Sequence, residues 1–205
     1  MTRPARPLKV AILAFDQVEA LDLAGPYEVF TTATRMHQRA NPATAGPFDV
    51  LCVAHNLAPV RARAGLTLLP THGFEDAPAP DVLIVPGGVV DNALACAQTL
   101  AWIARADRST QITASVCTGA FLLAASGVLT TGEVTTHWED LDDIARRFPA
   151  LTVRGEVRWV DQGPVVTSAG ISAGIDMSLH LVARLAGTAL AERTARQMDF
   201  QWTRA

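Results

Sequence analysis

The amino-acid sequence predicts a single α/β domain over residues 1–205, a three-layer sandwich in which helices cover both faces of a mostly parallel sheet. Two observations support this fold class. Apolar runs such as Leu8–Phe15 and Phe48–Ala54 are nearly continuous, as in strands that are buried on both faces. These runs alternate with segments of helical periodicity, and no linker, repeat or low-complexity stretch divides the chain.

The predicted elements follow one another in a regular order. Strands are predicted at residues 8–15, 48–54, 81–85, 111–116, 156–160 and 165–168. Helices are predicted at residues 26–39, 92–107, 118–126, 141–148, 172–186 and 188–200, with Pro26 in the first turn of the first one. A hairpin is predicted at residues 59–71. Ligands of such sheets bind beyond the carboxyl ends of the strands, so we expect the site after Phe15, Val85 and Val116.

The composition excludes several classes of function. A formal net charge of −3 gives no basic field, so nucleic acid is not an expected partner. The uncharged stretch 109–132 is predicted to be a buried strand and a buried helix, so no membrane partner is expected either. Lys9 is the single lysine, which excludes a Gly-Lys-Ser/Thr phosphate loop and a Schiff-base lysine. The three cysteines are scattered and form neither a disulfide framework nor a metal clip. With no credible signal peptide, these features favour a cytoplasmic location.

Cys117 is the strongest candidate for a catalytic residue. The segment Ala114–Ala120 runs from a predicted strand directly into a predicted helix, with a glycine two residues after the cysteine. Such an abrupt connection forces the turning residue into a sparsely populated backbone conformation, as in a nucleophile elbow. A thiol at a helix N-terminus is expected to have a lowered pKa and to react as a thiolate. The alternative is a buried, inert cysteine, which is the interpretation favoured for Cys52 and Cys96.

Other candidates follow the neighbouring strands. Gly87 and Gly88 come after the strand that ends at Val85, and their N–H groups are predicted to form an oxyanion-binding donor pair; a ligand-free tight turn is the alternative. Asp22 lies between two leucines, where burial would raise its pKa and make it a general acid beside the thiol. Either Asp22 or Glu19 would also suit a helix cap.

The histidines give a weaker signal. His137 has the most polar surroundings of the five, which suits a substrate-binding role or, as an alternative, a capping or surface role. No two histidines have the spacing of metal ligands, and no acidic residue stands at a metal-motif offset. We therefore expect no metal and no cofactor.

Five short blocks of the sequence carry a family resemblance: Leu21–Pro26, Ile84–Gly88, Ser115–Ala120, Thr135–Trp138 and Ala169–Asp176. In this order they resemble the ThiJ/PfpI (DJ-one) superfamily, and the resemblance extends across about residues 8–202. It implies a flavodoxin-like sandwich, a cysteine on a nucleophile elbow and a homodimer.

Within this superfamily, the Asp22 and Cys117 blocks look like isocyanide hydratases. That resemblance implies that Cys117 is the nucleophile, Asp22 its carboxylic partner and Thr118 a polar group that places substrate or water. The predicted function is hydration of a small electrophile, an isocyanide, to an N-formamide through a covalent thioimidate. The same blocks resemble the ligand-binding domain of AraC-type regulators, so a ligand- or redox-sensing domain without a DNA-binding part is the alternative.

Overall fold

The computed structural model describes residues 6–204, and its centre is a seven-stranded sheet. Residues 1–5 and 205 of the predicted domain lie outside the described residues, and so does most of the N-terminal segment for which no signal peptide is predicted. The strands of this sheet are β1 (Leu8–Leu13), β2 (Phe48–Ala54), β5 (His72–Gly73), β6 (Val82–Val85), β7 (Ile112–Val116), β10 (Trp159–Asp161) and β11 (Val165–Ser168). Two further pairs are the hairpin β3 (Val60–Arg61) with β4 (Thr67–Leu68), and β8 (Gly132–Val134) with β9 (Leu151–Val153).

The strand order places a topological switch point between β1 and β6. The order is β10-β11-β7-β6-β1-β2-β5, and every pair in the main sheet is parallel except β10 with β11. The chain leaves β1 toward β2, whereas it leaves β6 in the opposite direction, toward β7. Right-handed crossovers therefore place the connecting helices on opposite faces of the sheet, and a crevice opens where the directions diverge.

The helices complete the outer layers. They are α1 (Ala20–Ala40), α2 (Asp91–Ala95), α3 (Ala97–Asp107), α4 (Gly119–Ala125), α5 (Leu141–Arg147), α6 (Ala173–Ala186) and α7 (Thr188–Gln197), with a 3₁₀ turn at Trp138–Asp140. Helices α1, α6 and α7 pack together, and α4 packs on β6, β7, α2 and α3. The predicted three-layer α/β sandwich is thus confirmed. Within residues 6–204, no helix is both long and apolar enough to cross a membrane.

The first helix differs from the prediction in a way that matters for the site. It begins at Ala20, so Pro26 lies in its second turn and Asp22 lies in its first turn, not in the preceding loop. Proline at this position removes one backbone hydrogen bond. Burial of Leu23, Val29 and Phe30 along the same helix face offsets that loss.

Candidate active site

Cys117 occupies a strained turn between β7 and α4. Its φ angle is +56°, in the left-handed region that side chains other than glycine's rarely adopt. Flanking hydrogen bonds fix this conformation: the Cys117 N–H donates to the Ser168 carbonyl (3.1 Å), and the Thr136 hydroxyl donates to the Cys117 carbonyl (2.8 Å). The abrupt strand-to-helix connection predicted at this position is therefore present in the structure.

Asp22 is a buried carboxyl group with an incomplete set of hydrogen bonds. Its side chain has no exposed surface; Oδ2 accepts from the Gly87 N–H at 3.2 Å, and Oδ1 has no hydrogen-bond partner among the described residues. Burial raises the pKa of Asp22 to about 7, against the opposing effects of the Gly87 N–H and the Cys117 thiol. The raised pKa predicted for this residue is thus found.

The predicted low pKa of the Cys117 thiol is wrong for this structure. Burial, and then the negative charge of Asp22, raise the pKa of the thiol to about 12. The backbone N–H groups of Thr118 and Ile171 lower it, but by less. Only 6% of Cys117 is exposed, so the helix N-terminus does not compensate for the lost solvation of a thiolate. In the resting site the proton is therefore on sulfur, and nucleophilic attack requires a base to remove it.

Gly87 and Gly88 hold the neighbouring side chains and do not present free donors. The Gly87 N–H is bonded to Asp22, while the Gly88 N–H donates to the Thr118 hydroxyl, which donates back to the Gly88 carbonyl (both 2.9 Å). The oxyanion-hole role predicted for this glycine pair is therefore not met here, because both N–H groups already have partners. The N–H groups of Thr118 and Ile171 face the sulfur instead.

A small cavity opens over the sulfur. Its volume is about 230 Å³. It is lined by Glu19, Arg63, Gly88, Val89, Cys117, Thr118, His137, Glu139, Asp140 and Ile171. His137 makes two kinds of contact. Its side chain lines this cavity, and its Nδ1 accepts a hydrogen bond from the Glu139 N–H (3.4 Å) as a cap of the 3₁₀ turn. Substrate contact and capping, the two interpretations of His137, are compatible in this geometry.

Sequence reasoning did not identify Ile171 as part of the site. Its φ angle is +36°, and its backbone N–H is close enough to the Cys117 sulfur to lower the pKa of the thiol. Isoleucine, which is β-branched, rarely adopts this backbone region, so the sequence contained no indication of a positive φ angle at position 171. The segment is held by Arg158, which binds the buried carboxylate of Asp176 and donates to the Ser172 hydroxyl (3.4 Å). The nearby Gly170 is a residue type that does reflect the local packing, because a Cβ there would lie 2.2 Å from the His137 ring.

The other cysteines lie outside this cavity. Cys52 is buried, and burial raises the pKa of its thiol. Cys96 lines a separate cavity near Phe15 and Phe74. Across residues 6–204, no group of three or more His, Cys, Asp or Glu side chains is arranged to hold a metal ion.

Gly87→Ala is expected to disrupt the site. A Cβ at Gly87 would lie 2.6 Å from both the N and Oγ1 of Thr118 and 2.9 Å from Asp22 Oδ2, so these groups must move. We expect a loss of about 1–3 kcal/mol in unfolding free energy and a clear fall in any Cys117-dependent activity. Chemical denaturation measures the first effect, and the rate of turnover of a substrate that requires Cys117 measures the second.

Gly155→Ala is the matched control for this substitution. A Cβ there would meet only Leu141, at 3.4 Å, so stability is expected to change by no more than about 0.5 kcal/mol. Equal behaviour of the two variants would show that Gly87 does not constrain Asp22 and Thr118.

Comparison with known proteins identifies the family of this fold and site. The sequence matches the DJ-1/PfpI family over residues 8–184. The chain belongs to that family. Among curated proteins it is 36% identical to an isonitrile hydratase of Pseudomonas putida over 194 residues, which are 94% of this chain and 78% of the hydratase.

Two other proteins that are similar to this chain extend the comparison. A crystal structure of a ThiJ/PfpI family protein from Pseudomonas syringae superposes with a TM-score of 0.83 at 30% identity, covering 97% of this chain and 77% of that one. This match confirms the flavodoxin-like sandwich. An HTH-type transcriptional regulator, GbdR, of Pseudomonas aeruginosa is 27% identical over 199 residues, which are 95% of this chain but 51% of the regulator. The chain thus spans about half the length of that regulator.

Proposed function

We propose that this DJ-1/PfpI protein is an enzyme that hydrates small isonitriles to N-formamides through a covalent intermediate on Cys117. The observation that carries the proposal is the Cys117–Asp22 pair beside the cavity. Asp22 has a pKa of about 7 and Cys117 one of about 12, so the pair holds one proton across the whole range between them. A carboxylate and a thiol that share one proton can exchange it within the site. The 36% identity to an isonitrile hydratase supports the choice of substrate.

In the first step, the terminal carbon of the isonitrile meets the Cys117 sulfur. The Asp22 carboxylate removes the thiol proton as the S–C bond forms, and the N≡C triple bond becomes C=N. The carbon then carries the electron pair and takes the same proton from Asp22. The product is a thioimidate, Cys117–S–CH=N–R, with Asp22 again a carboxylate. Because the unpartnered Oδ1 has no competing donor among the described residues, it is the natural acceptor of that proton.

In the second step, water completes the hydration. Its oxygen adds to the thioimidate carbon while its proton passes through Asp22 to the nitrogen. The C–S bond of the resulting tetrahedral adduct then breaks as C=O forms, and the hydroxyl proton returns to sulfur. The N-formamide, H–C(=O)–NH–R, leaves and the thiol is restored. The Thr118 and Ile171 N–H groups, which face the sulfur, stabilise the thiolate as it departs.

The direct test is turnover of an isonitrile panel. Aliphatic and aryl isonitriles are incubated with the protein in ¹⁸O-labelled water, and labelled N-formamide is measured by mass spectrometry. We expect multiple turnovers for at least one small isonitrile and a transient increase in the mass of the Cys117 peptide equal to the mass of the isonitrile, because the proton that reaches the carbon is the one that left the thiol. No labelled formamide from any member would contradict the proposal.

A ligand-sensing role is the second candidate, because a transcriptional regulator is 27% identical in sequence over 95% of this chain. That role requires binding without chemistry. It would be favoured by a small molecule that raises the unfolding temperature progressively as its concentration increases and is recovered unchanged, with no adduct on Cys117.

A further inference from the structure

The mouth of the cavity over Cys117 carries an unequal distribution of charge. Three carboxylates line it, from Glu19, Glu139 and Asp140, together with one guanidinium from Arg63. Arg63 lies 3.8 Å from Glu19, so these two charges offset each other. Glu139 and Asp140 have no arginine or lysine within ion-pair distance in the part of the chain that the structure describes. Two negative charges thus remain on the side formed by the 3₁₀ turn.

His137 is the one basic side chain close to these two carboxylates among the residues that the structure describes. Its Nδ1 lies 3.6 Å from both Glu139 Oε2 and Asp140 Oδ2. The same nitrogen is also within hydrogen-bond distance of the Glu139 N–H. Even a protonated His137 ring would offset only one of the two carboxylates, so this side of the cavity keeps a net negative charge. Burial, against the opposing effect of His137, raises the pKa of Asp140, and the charges of Glu139 and Asp143 raise it further. A positive group placed there would relieve this repulsion.

The acidic residues share a small cavity with the candidate nucleophile. Cys117 lines the same cavity, and the buried Asp22 carboxyl is close enough to raise the pKa of its thiol. The Oδ1 atom of Asp22 has no hydrogen-bond partner among the residues that the structure describes. The cavity volume of about 230 Å³ is below the range of roughly 300–1,000 Å³ that drug-sized ligands occupy. A ligand here must be small, with one end at the sulfur and the other near the 3₁₀ turn.

We propose that the cavity selects small substrates that carry a protonated amine, with the reactive carbon at Cys117 and the ammonium group against Glu139 and Asp140. The choice of substrate class rests on the proposed isonitrile hydration. The preference for positive charge near Cys117 does not depend on that reaction, because it applies to any reagent that reaches the sulfur. A net negative charge at the mouth of a cleft raises the local concentration of cations there.

The first experiment measures this field without requiring catalysis. Cys117 is modified with two methanethiosulfonates of similar size, one bearing a trimethylammonium group and one a sulfonate, and the rate at its peptide is followed by mass spectrometry. Each rate is divided by the rate with a free small thiol. We expect the normalised rate to be at least about 10-fold higher for the cationic reagent at low salt, and the preference to shrink in 0.5 M salt.

The variant arm assigns the preference to the 3₁₀ turn. Glu139→Gln combined with Asp140→Asn is expected to reduce the normalised cation preference to within about 3-fold of unity. Asp142→Asn is the matched control, because this residue is exposed on α5 and does not line the cavity; it is expected to leave the preference unchanged. Equal normalised rates for both reagents in the native protein, or a preference that persists in the double variant, would overturn the inference.

The second experiment compares isonitriles that differ only in the tail. We expect kcat/KM to be about 10-fold or more higher for an aminoalkyl isonitrile than for its neutral alkyl counterpart, and lower still for a carboxyalkyl one. Hydration of all three at equal efficiency would contradict the substrate class but not the reaction. If none is hydrated while the reagent preference is present, the proposed function fails and the selective field stands.

Discussion

Cys117→Ala is expected to reduce isonitrile hydration by at least about 10⁴-fold, because the mechanism has no covalent route without the sulfur. The substitution removes one atom from a site that is already strained at φ +56°, and alanine carries no bulkier group. We therefore expect the variant to fold, with an unfolding free energy within about 1 kcal/mol of the native value. Formamide production and chemical denaturation are the two measurements.

Cys96→Ala is the matched control, since it makes the same chemical change at a cysteine outside the active-site cavity. Its turnover is expected to equal that of the native protein. Retention of more than about a tenth of native turnover by Cys117→Ala would rule out the covalent intermediate, because the protein would then hydrate the isonitrile by direct addition of water, without the sulfur.

Much of the fold and the position of the site followed from local sequence patterns. The continuous apolar runs at β1 and β2 and the strand-to-helix transition at Cys117 are properties of short segments. Parallel topology then brings the ends of β1, β6 and β7 to one edge of the sheet, where Asp22, Gly87 and Cys117 meet. Candidate residues that follow these strands were therefore predictable without side-chain detail.

The electrostatic state of the site was not predictable from the same patterns. The pKa of Cys117 depends on how much protein covers the sulfur, and Ile171 and Asp22, which come close to it, are distant in sequence. Likewise, only tertiary packing shows that the Gly87 and Gly88 N–H groups are taken by Asp22 and Thr118. A helix N-terminus near a thiol is a local feature, but burial overrides it here.

Asp22→Asn is expected to lower kcat by about 10²–10⁴-fold, because the carboxamide cannot accept the thiol proton. The pH dependence provides a second readout. In the native protein, Asp22 must be ionised to act as a base, so kcat/KM is expected to rise with pH through about 7 and then level off. The variant should lose this rise. A native profile that is flat between pH 5 and 9 would exclude Asp22 as the base.

The same substitution is expected to stabilise the protein above neutral pH. The pKa of Asp22 is about 7 in the folded state against 3.8 when unperturbed, so the folded state binds the proton more tightly than the unfolded state. Stability contributed by this group is therefore full below about pH 4 and is lost as the pH rises through 7. At pH 8 we expect Asp22→Asn to unfold with about 1–3 kcal/mol more free energy than the native protein, after the cost of an unpaired amide N–H.

At pH 4 that advantage should disappear, and the exposed control Asp142→Asn should show no comparable pH dependence. A stabilised but inactive variant would mean that the chain keeps a destabilising charge in its interior for the reaction alone. If Asp22→Asn were less stable than the native protein at pH 8 as well, the carboxylate would instead be an anchor for the Gly87 N–H. In that case its proximity to Cys117 would follow from packing, and the proposed proton exchange would lose its main support.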